Sequence, residues 1–251
     1  MAVTPMDATT TLNGLLVMDK PAGWTSHDVV ALVRAHTRVR KVGHAGALDP
    51  AATGVLLILV GRATKLADAW LTVDKEYVTT VALGVATESG DAEGRVVATK
   101  AVPALTRANI EAALANFRGA ITQTPPMVSA LKHHGRPLYW WARRGRMVER
   151  AARPVQIHAL ELLAWDPPQL SLRIACSKGT YIRTLAEDVA AALETVGHLS
   201  ALQRTRVGPY TLAQAVSAEW IRTSTFASFK ARLLPMAAPA REAAGLSASS
   251  A

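Results

Sequence analysis

Apolar residues along this chain recur in two rhythms, one of strands and one of helices. Leu15-Leu16-Val17-Met18 is an unbroken apolar run that predicts a short buried strand ending at Asp19-Lys20-Pro21. Thr25 and Asp28 have the spacing of a capping box, and Val29, Val30, Leu32 and Val33 follow in helical register. Val55 to Val60 predicts a second buried strand and Ala63 to Leu71 a helix. From Tyr77 to Leu83 β-branched residues dominate, with Tyr77, Thr79 and Val81 sharing one face. Thr106 to Phe117 reads as a helix whose apolar stripe is Leu105, Ile110, Ala113, Leu114 and Phe117. Val155 to Leu163 and Leu170 to Ala175 alternate like paired strands. Thr180 is then placed to cap a helix with Ile182, Leu185, Val189, Leu193 and Val196 inward. Without strict βαβ alternation or internal repeats, the pattern predicts an α+β fold with a mixed, largely antiparallel sheet flanked by helices. The Ala/Ser-rich tail from Ala237 is expected to be disordered.

Composition narrows the class. The chain has 251 residues, half of them hydrophobic and 19% charged, as in globular proteins. Val55 to Val60 is too short to span a bilayer, and Met1 to Asn13 lacks a secretion-signal pattern. Cys176 is the single cysteine, which rules out an intrachain disulfide, and a cytoplasmic protein is expected. The formal charge of +9 points to a polyanionic partner. Much of it lies between Leu131 and Arg153, where Lys132, Arg136, Arg143, Arg144, Arg146, Arg150 and Arg153 face one anion, Glu149. Tyr139, Trp140 and Trp141 lie within that stretch. Cations interleaved with aromatics suit phosphate contact with base stacking; the other reading is a solvated basic helix with its aromatics in the core.

The chemistry-bearing residues are few. No Walker loop, dinucleotide fingerprint, zinc-type histidine–cysteine pairing or Gly-x-Ser-x-Gly elbow is present. What stands out is "GHAGALDP", Gly43 to Pro50, which sets Asp49 in a glycine-lined loop directly before a proline. Pro50 pushes the residue before it toward extended geometry. A turn aspartate and a functional carboxylate are both compatible with that placement. Arg183, in the first turn of the helix expected after Thr180, opposes the helix dipole and calls for an acidic partner. Glu187, one turn on, is a local candidate; Asp49, reached across space, is the other.

"GHAGALDPAATGVLLILVGRATK" resembles the catalytic signature of the TruB family, the bacterial tRNA pseudouridine-55 synthases. Four more segments follow the family order: "LLVMDKPAGWTSHDVV", "KEYVTTVALGVATESGDAEG", "TPPMVSALKHHGRPLY", and "CSKGTYIRTLAEDVAAAL" with "HLSALQRTRVG". Together they cover roughly Leu15 to Met236. The resemblance implies that Asp49 is the catalytic aspartate, that Tyr77 lies against a flipped uridine, and that Arg183 pairs with the aspartate. It further implies substrate-binding roles for His44, Lys20, Tyr181 and Leu202. RNA-backbone contacts are expected from Lys132, Arg136, Arg143, Arg144, Arg146 and Arg204. The implied reaction isomerises uridine in the T arm of tRNA with base flipping and needs neither metal nor organic cofactor. A monomer without an obligatory protein partner, and without membrane attachment, is expected.

Three positions depart from the family pattern: Ala45 for threonine, Val128 for tyrosine, and Gln203 for an arginine, which is expected to remove one cation near the pocket. Residues 1–225 are expected to form the catalytic domain and 226–251 a short C-terminal remnant in place of a further RNA-binding domain. A non-catalytic RNA-binding or tRNA-folding module is the alternative, because charge and aromatics serve both. The set Asp49, Tyr77 and Arg183 separates the two, since a binder needs no such trio. Whether the aspartate acts on the sugar, on the ring, or by removing a sugar proton stays open at the level of sequence.

Overall fold

Thr53–Val60, an almost purely apolar strand, organises half of the molecule. Its residues Val55, Leu57 and Leu59 pack with Val17, Trp70 and Val73, while Leu56, Ile58 and Val60 pack on the opposite side with Val29, Val33 and Phe229. A strand covered on both faces needs no polar alternation, and each such leucine contributes about 1.5–3 kcal/mol by burial.

The computed structural model describes residues 12–129 and 131–239. In chain order its elements are β1 (Gly14–Lys20), α1 (Ser26–Thr37), β2 (Val42–Ala45), β3 (Thr53–Val60) and α2 (Ala67–Leu71). They continue with β4 (Lys75–Leu83), β5 (Val85–Thr87), β6 (Val96–Thr99), α3 (Arg107–Ala115) and β7 (Gly119–Gln123). A small hairpin of β8 (Lys132–His133) and β9 (Arg136–Pro137) leads into α4 (Leu138–Ala142). Next come β10 (Arg153–Asp166), β11 (Gln169–Cys176), α5 (Ile182–Ala192), β12 (Gly197–Val207) and β13 (Tyr210–Thr211), followed by α6 (Ala218–Thr223) and α7 (Phe226–Arg232).

The main sheet runs β1-β3-β12-β4-β11-β10-β7, with β2 added to β3 and β13 to β12. Every pairing in it is antiparallel except β12 with β3. This is the mixed, largely antiparallel α+β arrangement expected from the pattern. The parallel contact aligns Arg204 with Gly54. Gly54 has φ +102°, and a β-carbon there would stand 2.2 Å from the Arg204 carbonyl oxygen, so only glycine admits the neighbouring strand. On the far half of the sheet, α3 and α5 cover β4, β10 and β11 with Ile110, Leu114, Leu185 and Val189.

Several local expectations hold. Thr25 caps α1 in a full capping box with Asp28, and the helix expected from Thr106 forms as α3, with a capping box between Thr106 and Asn109 that was not among those expectations. The expected helix Ala63–Leu71 divides into a 3-10 segment, Gly61–Leu66, and a single α-turn, α2. The Thr64 hydroxyl donates to the Gly61 carbonyl at 2.8 Å, a local bond that competes with α-geometry. Thr180 does not cap α5. Its hydroxyl donates instead to the Ser177 carbonyl at 3.0 Å, and Tyr181 occupies the cap position.

The boundary expected at residue 225 does not divide two packed units. Phe229 of α7 is fully buried in the cluster beneath α1, and Leu234 bridges to Leu15 at the sheet edge. The tail expected to be disordered lies, from residue 240 onward, outside the described residues. Among the described residues, no helix is long and apolar enough to cross a membrane.

Candidate active site

The loop between β2 and β3 carries Asp49, and bonds from both sides fix it. The Ala52 amide donates to the Asp49 carbonyl at 3.1 Å, closing a turn in which Pro50 takes the position its ring favours. From one side, the Ser26 hydroxyl accepts the Leu48 amide at 2.9 Å, and the Gly23 amide donates to the Pro50 carbonyl at 2.9 Å. From below, the Lys20 ammonium donates to the carbonyls of Pro21, Trp24 and Pro50 at 2.9, 2.6 and 3.0 Å. From the other side, Arg204 donates to the Gly46 carbonyl at 2.9 Å and to Ala47 at 3.4 Å. Asp49 is thus a turn residue and a held side chain at once.

Asp49 meets Arg183 at the mouth of a cavity of about 310 Å³. Arg183 Nε stands 3.2 Å from Asp49 Oδ2, with the arginine side chain 8% exposed and the aspartate side chain 46%. The guanidinium also donates to the Ser89 carbonyl at 2.9 Å and the Val128 carbonyl at 2.7 Å, and its Nη1 lies 3.8 Å from Asp91 Oδ2. Of the two partners open from sequence, the structure selects Asp49; Glu187 makes no ion pair with Arg183 among the described residues. Glu187 instead abuts Gly90, where a β-carbon would stand 2.7 Å from its carboxylate.

Partial burial raises the Asp49 pKa from its ordinary value; Arg183 opposes that, Asp91 adds to it, and Lys20 lowers it. Burial likewise raises the Tyr77 phenol and lowers His44. Burial brings the Lys20 ammonium down to about 8.

Tyr77, Tyr181, Arg183 and Leu202 line the cavity with Asp49. Leu48, Leu71, Leu131 and Ile182 complete an apolar wall. Leu202 and Arg204 lie two residues apart on β12 and oppose Thr79 and Tyr77 of β4, so all four serve one face. Gln203 lies between them on the opposite face and is exposed. The change from arginine there therefore removes no cation from the pocket, contrary to expectation.

Two further expectations are corrected. Arg204, assigned to the RNA backbone, is 2% exposed and spends its donors on Val55, Gly46 and Ala47 carbonyls. Lys20, assigned to substrate, is fully buried beneath the loop with three carbonyl acceptors. Neither presents its charge to the surface. His44 sits on β2 outside the cavity lining, half-buried, with its Nδ1 buried and unbonded and its ring edge-on to His27 at 6.1 Å.

Sequence reasoning missed Asp91, Gln123 and Lys75. Gln123 is buried and bonds both backbone groups of Tyr181, its oxygen accepting the amide at 3.0 Å and its Nε2 donating to the carbonyl at 3.2 Å. The only signal available for Asp91 was its place inside the quoted "TESGDAEG" segment.

A second groove, about 930 Å³, opens from Asp49 and Ser129. Arg95, Arg143, Arg146 and Arg150 line it, together with the acids Glu88, Glu93 and Glu187. Lys132 and Arg136 lie exposed on the β8–β9 hairpin. The Arg144 guanidinium sits 3.6 Å above the Trp140 ring and Arg136 5.3 Å from it, while Arg143 stands 5.6 Å from Tyr139. Trp140 and Trp141 are half-buried and belong to neither core cluster. Cation–π contact of this kind contributes about 0.5–1 kcal/mol at exposed sites.

A carboxylate fixed by an arginine in a largely apolar cavity, beside an arginine-bearing groove, agrees with the likeness of this chain to known proteins. Residues 34–182 match the TruB family pseudouridylate synthase N-terminal domain, and residues 183–238 the tRNA pseudouridylate synthase B C-terminal domain. The chain is 45% identical to tRNA pseudouridine synthase B of Hydrogenovibrio crunogenus over 90% of its length and 74% of that protein. It is 48% identical to the Francisella philomiragia protein of the same name, covering 86% of this chain and 72% of that one. For the Opitutus terrae protein the figures are 44%, 90% and 93%. Among solved structures, a chain of a Cbf5-Nop10-Gar1 complex superposes with a TM-score of 0.68 at 28% identity, covering 89% of this chain; this chain spans 60% of that one. The chain belongs to the TruB family of pseudouridylate synthases, isomerases that act on tRNA.

Proposed function

We propose that the chain converts uridine to pseudouridine at position 55, in the T arm of tRNA, and that Asp49 acts on the target nucleotide after its base leaves the stack. The observation that carries this reading is the Asp49–Arg183 pair at the mouth of the apolar cavity. Arg183 holds the carboxylate oriented and favours its ionised form against the effect of burial. An ionised, short, fixed carboxylate beside the sugar–base junction can act covalently or as a base.

Isomerisation detaches the base, turns it, and rejoins it through carbon 5. The detached base must be kept from water, and the walls formed by Leu48, Leu131, Ile182 and Leu202 support that task. A stacked uridine is out of reach, so extrusion costs about a few kcal/mol. The groove's arginines supply phosphate contacts to offset this, and His44, on the adjoining strand, offers a ring to the vacated stack. Tyr77 and Leu202 are assigned to the base, and Tyr181, clamped by Gln123, to the substrate ribose side of the cavity. Lys20 holds the turn that presents Asp49 rather than touching RNA.

The test is a map of pseudouridine in total RNA from cells with and without this chain. The expected difference is one site, position 55 of tRNAs. Pseudouridine lost elsewhere in tRNA, with position 55 intact, would overturn the assignment of the T arm.

A further inference from the structure

Arg204 is a buried cation without an anion. Its side chain is 2% exposed, and it takes part in none of the ion pairs among the described residues. Its hydrogen-bond partners are neutral: the carbonyls of Val55, Gly46 and Ala47. Desolvating a full charge is unfavourable when no counter-charge answers it. Yet Arg204 is among the residues that line the cavity beside Asp49.

Lys75 lines the same cavity, its ammonium donating to the Leu71 and Val73 carbonyls. Burial, and then the nearby charge of Arg204, bring it down to about 8. Among the described lining residues the charged groups are Lys75, Arg183 and Arg204 against one carboxylate, Asp49. Arg183 answers Asp49 directly. The other two cations remain without an acid in the cavity, and such a cavity suits an anionic guest.

We propose that Arg204 and Lys75 form a cationic floor that stabilises the target base as an anion while it is detached from the sugar. This rests on the reading under Proposed function. When the bond from N1 to C1′ breaks, its electron pair stays on the ring and spreads over the carbonyl oxygens and C5. The deficit at C1′ is met by the Asp49 carboxylate, either by bonding or by accepting a proton from C2′. C5 then bonds C1′ with the ring's pair as the Asp49 carboxylate leaves C1′, or returns its proton to C2′, according to the route; C5 gives up its proton, and N1 gains one. Between these events the base is a uracil monoanion. A fixed guanidinium away from water stabilises such a charge more than solvent does, and needs no reorganisation to do so.

The experiment compares two T-arm hairpins, one with uridine and one with 5-fluorouridine at the target, under single-turnover conditions. The readout is cleavage of the original glycosidic bond, which precedes loss of any group from C5. Fluorine withdraws electrons and stabilises the base anion by itself, so the fluorinated base depends less on the floor. Lys75→Met and Arg204→Met are expected to slow uridine cleavage by about a hundredfold and fluorouridine cleavage by about tenfold less, with Arg204→Lys recovering part of the loss. Equal losses on both hairpins would reduce the two cations to structural roles. Weaker hairpin binding with an unchanged rate at saturation would assign them to a phosphate, and either result overturns the proposal. Should Arg204→Met fail to fold, because the Gly46 and Val55 carbonyls lose their donor, the same ratio for Lys75→Met decides. A wild-type protein that cleaves neither hairpin strikes the proposed function itself rather than the cationic floor.

Discussion

Arg183 Nε lies 3.2 Å from Asp49 Oδ2, joining the first turn of α5 to the loop that precedes β3. The pair explains a charge that otherwise sits at the wrong end of a helix. A guanidinium in the first turn opposes the dipole, and here two carboxylates, Asp49 and Asp91, with two carbonyls, compensate it.

Replacing Asp49 with Asn keeps the shape and removes the charge. Turnover on a T-arm transcript should vanish while tRNA affinity stays within a few-fold, since affinity rests mainly on phosphate contacts. Single-turnover pseudouridine formation and filter binding, run in parallel, check both halves. Appreciable product from Asp49→Asn would falsify the role given to the carboxylate.

Arg183→Met should lower the rate by orders of magnitude and also move its pH dependence. Arg183 lowers the Asp49 pKa, so its removal leaves the raising effects of burial and Asp91 less opposed. The ionised form then accumulates only at higher pH, and the acid limb of the rate profile should shift upward. Glu187→Ala, which breaks no ion pair with Arg183 in the structure, should leave that limb in place. An unmoved limb in Arg183→Met would separate the arginine from the aspartate.

Lys20→Met should cost stability. The Pro21 and Trp24 carbonyls would lose the Lys20 donor, each worth about 1–3 kcal/mol when left unsatisfied, while Pro50 would keep the Gly23 amide. Thermal denaturation should show a clear fall in Tm. The pH dependence has a sign. Because the folded state holds Lys20 near 8 against an ordinary 10.5, the unfolded chain binds more protons between those values. Wild-type stability therefore gains a contribution as pH rises from about 8 toward 10.5. The variant should show a shallower rise, and an equal slope in both proteins would refute the assignment.

Gly54→Ala and Gly119→Ala make a controlled pair. Both glycines have positive φ, but a β-carbon at Gly119 meets nothing within 4 Å, whereas at Gly54 it meets backbone at 2.2 Å. Gly119→Ala should cost about 1–2 kcal/mol from strain alone. Gly54→Ala should cost about 4 kcal/mol or more, because β12 must move away from β3. Denaturant unfolding of both variants tests whether the close approach at Arg204 matters.

Replacing Arg143, Arg144 and Arg146 together by Ala should weaken RNA binding and flatten its salt dependence by about 0.7–0.9 in slope for each phosphate left without its cation. Arg144 should contribute least to the slope, since its guanidinium lies on Trp140. A T-arm hairpin should serve nearly as well as full tRNA. A preference for full tRNA of about a hundredfold, roughly 2.7 kcal/mol, would place the dominant contacts beyond the T arm.

What the sequence determined by itself is local. The capping box at Thr25, the doubly buried run Val55 to Val60, the alternation around Tyr77 and the position of Asp49 before Pro50 all reflect interactions between near neighbours, which leave a readable period or spacing. The partner of Arg183 was narrowed to two residues for the same reason, because one of them lay a single turn away. Only the tertiary structure could choose, since Asp49 reaches Arg183 through the order β3-β12-β4 and not through any nearby spacing. The same holds for Arg204 and Lys20. In sequence each is a cation in a basic protein and reads as a phosphate contact. Sheet register and loop packing turn both inward, where carbonyls of distant residues take up their donors. A charge carries no mark of its own burial; whether it meets solvent, a carbonyl or a substrate is decided by the strands that close around it.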